Sequence, residues 1–183
     1  MAEILFSSKQ EIGRLEILHD NVSRRIPKDS WDDLTEFAWS KGERTAVYIK
    51  QKNPDLKTAE EYAIAAGASV TVSETGPQLI YSEYYSRRRE IRLIKEAIEN
   101  TFIPQNKANL STVDFDHVKN IFIAHELFHH LECTDESVGL TFKEREVTII
   151  DFKVFQWKSG LRCLSEIAAH SFVKELLGFD NRY

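Results

Sequence analysis

Apolar residues recur every three or four positions across residues 31–67, which is the spacing of helices with one buried face. Gly42 interrupts this pattern, so the spacing predicts two helices before the Asn-Pro pair at 53–54. A further helix follows, with either Asp55 or Thr58 as its N-cap. Gly67 stands after its last apolar residue, where a left-handed glycine commonly ends a helix.

Beyond Gly67 the apolar period shortens towards two, which indicates strands. Residues 69–72 and 79–85 are two predicted strands, separated by a Gly-Pro turn. The arginines at 87–89 fit a solvated hairpin turn better than a phosphate-binding patch, and residues 90–93 form a third predicted strand. We therefore expect a small antiparallel or mixed sheet, with the antiparallel arrangement as the simpler one.

The C-terminal half returns to helical spacing on both sides of a β-rich segment. Residues 100–113 are expected to be a polar connection, and Ser111 and Asp114 are candidate caps for a helix over about 115–132. Residues 147–157 are rich in β-branched and aromatic side chains and predict a hairpin. The last helix is expected to open at Gly160 and to close at Gly178; its apolar stripe is Leu161, Leu164, Ala168, Phe172 and Leu176.

The N-terminal segment is less decisive, because residues 1–28 fit either a helix or a strand. Ile12, Leu15 and Leu18 have helical spacing, but Leu15 to Ile17 also alternates as a strand would. We expect residues 1–54 to form an N-terminal helical extension and residues 55–183 to form the main domain.

Composition narrows the function classes. The chain has 183 residues, 42% of them hydrophobic and 29% charged, with a net charge of −5. This acidic balance argues against general binding to nucleic acid or to a membrane surface, since both need clustered positive charge. Two cysteines without close spacing fit a reducing compartment. With neither a signal peptide nor a membrane span in evidence, we expect a cytoplasmic protein.

The strongest chemical signal is His125-Glu126-x-x-His129, the pattern of zinc-dependent peptidases. Residues four apart share one helix face, so both imidazoles can bind a single Zn²⁺. Glu126 lies about 100° further round the helix, where it can serve as a general base without binding the metal. The alternative is an ordinary helix that happens to carry two histidines.

A catalytic zinc site usually has three protein ligands, so the two histidines require a partner elsewhere. Glu166, on the last predicted helix, is the preferred candidate because alanines beside it allow close helix packing. His170, one turn later, is a rival ligand, and Cys163 is a weaker one. Glu166 could also be an ordinary exposed helical carboxylate.

Several other side chains have possible supporting roles. His130 is about 140° round the helix from His125, so we expect it to support a ligand or to face solvent. Asp135 and Glu136 could orient a ligand imidazole, although a solvated loop is the better explanation. Four side chains could stabilise an oxyanion: Tyr81, Tyr84, Tyr85 and His170. The strands at 79–85 and 90–93 are candidate edges for an extended substrate.

Two motifs together resemble the ImmA/IrrE-type metallopeptidases. The first runs from His125 to His130 as H-E-L-F-H-H, and the second runs from Glu166 to Val173 as E-I-A-A-H-S-F-V. The order of elements upstream is similar too, so the resemblance covers roughly residues 55–178. It differs from the family pattern at Phe128, where glycine is usual, at His170, where asparagine is common, and at Val173.

This resemblance implies a gluzincin-like α+β fold, with a small sheet packed on the metal helix and a second ligand-bearing helix. It makes His125, His129 and Glu166 the Zn²⁺ ligands and Glu126 the catalytic base. The implied activity is a zinc metallo-endopeptidase acting on a protein substrate, with a helix-turn-helix repressor as one candidate.

Three other function classes compete with a peptidase. A non-catalytic regulatory module could use the same fold to bind zinc and a partner protein. A hydrolase of a non-peptide amide could use the same ligands and base. A DNA-binding regulator fits least, because the sequence has no helix-turn-helix signature and the wrong charge.

Overall fold

The computed structural model describes residues 7–77, 79–106, 114–152 and 155–178, which form an α+β fold with a small mixed sheet. The helices are α1 (Lys9–His19), α2 (Trp31–Lys52), α3 (Ala59–Ala65), α4 (Lys95–Ala97), α5 (Ile103–Gln105), α6 (Phe115–Thr134) and α7 (Cys163–Leu177). The strands are β1 (Ser69–Ser73), β2 (Ser82–Tyr85), β3 (Glu90–Ile94), β4 (Glu146–Phe152) and β5 (Phe155–Gly160). Short 3₁₀ turns cover Ser23–Arg25, Lys28–Ser30 and Thr141–Lys143, and a π-helical turn covers Ile98–Phe102.

Lys9–His19 in the N-terminal segment is helical, and α2 is longer than its sequence suggests. A reciprocal capping box between Ser8 and Glu11 begins α1. The prediction of a helix break at Gly42 was wrong, because α2 continues through it. Gly42 is needed for packing: a Cβ there would lie 2.1 Å from the carbonyl oxygen of Ala168 on α7. The backbones of α2 and α7 therefore approach each other closely at this point.

The first sheet has the order β1-β3-β2, with β1 parallel and β2 antiparallel to β3. The simpler, wholly antiparallel arrangement was thus wrong, and the mixed alternative is correct. Ile91 and Leu93 are completely buried, whereas β1 is largely exposed. The most apolar strand therefore takes the centre, and this leaves β1 and β2 as the two edges.

Glycine stops and polar caps agree closely with expectation. Gly67 and Gly178 both have left-handed backbones, with φ of 86° and 70°. Thr58 caps α3, and Asp114 caps α6 by accepting a hydrogen bond from the His117 amide at 3.1 Å. The other candidate cap of α6, Ser111, lies outside the described residues.

The C-terminal elements differ from expectation in two details. The hairpin over residues 147–157 is confirmed as the antiparallel pair β4–β5. Gly160 ends β5, and α7 begins only at Cys163, so the expected helix start at Gly160 was wrong. A Cβ at Gly160 would lie 2.3 Å from the carbonyl oxygen of Phe142, so the position has room only for glycine. The expected polar connection at 100–113 is helical as far as Gln105, and residues 107–113 lie outside the described part of the chain.

One hydrophobic core joins the N-terminal helices to the C-terminal ones. Buried residues from α1 and α2 belong to the same cluster as those of α6 and α7. The predicted boundary between residues 54 and 55 falls in the connection between α2 and α3, and the division into an extension and a main domain stays a prediction. Within the described residues, no helix has the length and apolar character that a membrane crossing needs.

Candidate metal centre

The three predicted ligands converge between α6 and α7. His125 and His129 lie one turn apart on α6, with their Nε2 atoms 3.3 Å apart. Glu166 reaches them from the first turn of α7, with Oε2 3.2 Å from Nε2 of His125 and Oε1 3.6 Å from Nε2 of His129. Two histidine nitrogens and a carboxylate therefore face a common point.

This arrangement has the dimensions of a metal site. Ligand bonds of about 2.0–2.1 Å in tetrahedral geometry place neighbouring donor atoms about 3.3–3.4 Å apart. The observed separations lie close to this value, and one donor atom from each residue falls within 4.8 Å of the others. The His125, His129 and Glu166 cluster could therefore hold a metal ion. The rival ligands His170 and Cys163 are not part of the group.

The cluster is buried on one side and open on the other. His125 is buried, whereas the Glu166 side chain is 41% exposed to solvent. Catalytic zinc sites commonly combine three protein ligands with an open position, while structural sites are usually closed by four. The access beside Glu166 therefore suits a site that receives a water molecule or a substrate.

The two carboxylates beside His129 determine its charge in the metal-free protein. Burial lowers the pKa of His129, but hydrogen bonds to Glu132 and Glu166 and the charges of Glu166 and Glu126 outweigh it. The pKa of His129 therefore lies well above its ordinary value. Desolvation raises the pKa of Glu166, but the two imidazoles reverse this effect and hold that pKa well below its ordinary value.

The carboxylate of Glu126 contacts the first sheet. Its carboxylate is buried, and Oε1 accepts a 2.6 Å hydrogen bond from the Ser82 hydroxyl at the start of β2. Ser82 was not predicted as a site residue. Its only signal is its position in a predicted strand, because the contact joins residues that are 44 positions apart.

A second partner missed from the sequence is Glu132, which lies three residues after His129 on α6. Its Oε2 is 3.4 Å from Nδ1 of His129. The i,i+3 spacing on a helix was the available signal. Asp135 was a candidate for this role, with a solvated loop as the preferred explanation, and its carboxylate accepts hydrogen bonds from Ser137 and from the Tyr48 hydroxyl instead. Within the described residues, Glu136 makes no bond to a ligand histidine either.

His130 belongs to a separate network on another face of α6. It is completely buried, with Nδ1 2.8 Å from the Tyr84 hydroxyl and Nε2 3.0 Å from the carbonyl oxygen of Ala66. Because a carbonyl only accepts, Nε2 carries the proton and Nδ1 accepts from Tyr84. Burial lowers the pKa of His130, which therefore favours the neutral form. The expectation that His130 faces solvent was wrong. The other expectation was support of a metal ligand, but the ring nitrogens of His130 contact Tyr84 and Ala66 instead.

His170 lies beneath the cluster but has a different partner. Its Nε2 is 3.2 Å from Oε1 of Glu16 on α1, and its ring packs edge-on against that of His125 at 5.3 Å. Cys163 is buried at the start of α7, where its amide donates to Asp20 at 2.8 Å. Burial raises the pKa of the Cys163 thiol, which disfavours the thiolate that a metal would require.

The candidate oxyanion donors all have other contacts. Tyr81 packs against Phe102 and Phe122, and the Tyr84 hydroxyl contacts His130. Tyr85 donates to Glu83 at 2.7 Å. The described structure therefore brings none of these tyrosines to the cluster, and His170 lies behind it.

Comparison of the chain with protein-family models, with curated proteins and with solved structures gives no match. The resemblance to ImmA/IrrE-type peptidases therefore rests on the two motifs themselves. These two motifs contain all three residues of the cluster, His125, His129 and Glu166.

Proposed function

We propose that the chain is a zinc-dependent metallo-endopeptidase of the ImmA/IrrE type, with a gluzincin-like arrangement of its two ligand helices. The observation that carries this proposal is the convergence of His125, His129 and Glu166 next to the buried carboxylate of Glu126. Two histidine nitrogens and one carboxylate are a ligand set that catalytic zinc sites use, and such sites also keep one coordination position accessible.

In this proposal, zinc bound to the cluster would polarise a substrate carbonyl and lower the pKa of a water molecule towards 7. Glu126 accepts the proton of that water and then delivers it to the leaving amine. The Ser82 hydroxyl, donating at 2.6 Å, fixes the direction of the Glu126 carboxylate. This contact also couples the base to the strand that would receive the substrate.

The substrate lies in extended form along β2 in this proposal. β2 is an edge strand of the sheet and packs against α6, whose Glu126 it contacts through Ser82. An edge strand offers free backbone groups to an added strand. The other candidate edge, residues 90–93, is β3 at the centre of the sheet, so that expectation was wrong.

The nature of the substrate follows from the resemblance rather than from the site. We propose a protein substrate in the cytoplasm, with a helix-turn-helix transcriptional repressor as the first candidate. The net charge of −5 supports contact with a protein partner rather than with nucleic acid or a membrane surface.

The test is incubation of the chain with purified helix-turn-helix repressors, including any encoded beside it, followed by mass spectrometry of the products. We expect the zinc-loaded wild type to cut one of them at defined bonds. Glu126→Gln should keep zinc but lower the cleavage rate by about 10²–10⁴-fold, because it removes the general base. Glu136→Gln is the matched control, since Glu136 is an exposed glutamate beyond the same helix and should leave the rate unchanged.

The same experiment tests the alternative of a non-catalytic binding module. That alternative predicts a stable complex between the repressor and the wild type, with no cleavage and no effect of Glu126→Gln. The accessible side of the cluster at Glu166 favours the peptidase.

A further inference from the structure

We propose that Glu132 is a positioning residue of the metal centre, which fixes the tautomer of His129 and ties the two ligand-bearing helices together. This inference rests on the proposed metal site, because it concerns how one of its ligands is held. Neither the zinc-binding pattern nor the second motif includes Glu132.

The contact with His129 determines which ring nitrogen carries the proton. Oε2 of Glu132 is 3.4 Å from Nδ1 of His129. An ionised carboxylate only accepts hydrogen bonds, so Nδ1 must donate. The Nε2 lone pair is then free in the neutral ring, and this is the nitrogen that faces His125 and Glu166. Glu132 thus selects the tautomer in which His129 can bind a metal.

The other oxygen of Glu132 connects the centre to α7. Oε1 accepts the backbone N–H of Thr141 at 2.8 Å and the Ser165 hydroxyl at 3.0 Å. Ser165 directly precedes the ligand Glu166 on α7. One carboxylate therefore links the histidine ligand on α6, the start of the helix that carries the third ligand, and the turn before β4.

Burial makes this role specific for glutamate. The Glu132 side chain is only 4% exposed, and a buried carboxylate is costly unless it is well paired. Glutamine is the sharpest test of this requirement. Its oxygen can still accept from Thr141 and Ser165, but its amide group then directs N–H bonds at Nδ1. His129 would have to move its proton to Nε2, inside the cluster.

The experiment compares zinc affinity, by competition with a chelator, in wild type, Glu132→Gln and Ser165→Ala. Glu132→Gln should bind zinc about 10–100-fold more weakly. Ser165→Ala removes one of the bonds to Oε1 and should weaken binding by about fivefold. The matched control is Glu136→Gln, which should bind zinc as tightly as wild type.

A second readout is the tautomer of His129 in the metal-free protein, measured by ¹⁵N NMR above the pKa of that histidine. Wild type should carry the proton on Nδ1, and Glu132→Gln should shift it towards Nε2. A purely structural role would lower the melting temperature of the metal-free protein while leaving the tautomer and the zinc affinity unchanged. That pattern would overturn the proposal.

These outcomes are separable from those of the proposed function. If wild type binds no zinc, the metallopeptidase proposal fails, and the NMR measurement still tests the bond between Glu132 and His129. If wild type binds zinc and cleaves protein while folded Glu132→Gln has wild-type affinity, only the role of Glu132 is refuted. Should Glu132→Gln fail to fold, Ser165→Ala decides, and an unchanged affinity there would contradict the link between α6 and α7.

Discussion

Two neighbouring histidines on α6 have opposite chemistry. His129 lies between the carboxylates of Glu132 and Glu166, and its pKa is raised although burial opposes this. His130, the next residue, contacts the Tyr84 hydroxyl and the carbonyl oxygen of Ala66, and burial lowers its pKa. The helix and the residue type are the same, but the formal charge of the partners differs.

The comparison shows that the packing partner of each face decides what a histidine can do. The face of α6 that carries His125 and His129 packs against α7. There the Glu166 carboxylate supplies a negative charge that a protonated histidine or a metal ion can neutralise. The face of His130 meets the sheet and α3, whose neutral hydroxyl and carbonyl satisfy both ring nitrogens. A satisfied neutral ring is a core element, whereas a ring facing carboxylates is a candidate ligand.

The largest expected difference is in protonation. In protein stripped of metal, ¹⁵N NMR at pH 7 should show His129 as the imidazolium and His130 as the neutral ring. Because the pKa of His129 is raised, its contribution to the free energy of unfolding is complete below about pH 6.5 and is lost as the pH rises through the folded-state pKa. The pKa of His130 is lowered, so the contribution of His130 has the opposite pH dependence. It is complete above about pH 6.5 and falls on acidification. Parallel titration of both rings near pH 6.5 would refute the comparison.

A smaller effect is expected from two glycine substitutions. Gly42 packs against α7, which carries Glu166, and Gly67 follows α3, which packs against α6. Gly42→Ala should destabilise the fold by about 1–3 kcal/mol, because the new Cβ would lie 2.1 Å from the Ala168 carbonyl oxygen. It should also weaken zinc binding, since it displaces the helix that carries Glu166. Gly67→Ala meets no atom within 4 Å and should cost about 1 kcal/mol for its left-handed backbone.

Urea unfolding and chelator competition on both variants check this prediction. Gly67 adjoins Ala66, the partner of His130, so Gly67→Ala should leave zinc affinity unchanged. Equal loss of zinc affinity in the two variants would mean that the two faces of α6 are not independent.

Much of the candidate site could be predicted from local signals. The i,i+4 spacing of His125 and His129 needs only a helix, and α6 supplies one. Glu166 was identified from its residue type and its alanine neighbours on a later helix. Gly67 and Gly178 ended their helices as expected, because a left-handed stop is a property of the local backbone.

What could not be predicted depends on contacts between distant residues. Gly42 seemed to break a helix, but its role is to admit Ala168, which lies more than one hundred residues later. The central place of β3 in its sheet goes with the burial of Ile91 and Leu93, which depends on the elements packed against them. Ser82 bonds to Glu126 only because the sheet places β2 against α6, and sequence spacing carries no record of that contact.

The three-ligand centre is tested by the metal content of purified wild type, Glu126→Gln and Glu166→Ala, measured by elemental mass spectrometry. We expect about one zinc per chain in wild type and Glu126→Gln, because neither lacks a ligand, and loss of the metal in Glu166→Ala. Absence of zinc from wild type, or retention of zinc with full affinity by Glu166→Ala, would contradict the three-ligand centre.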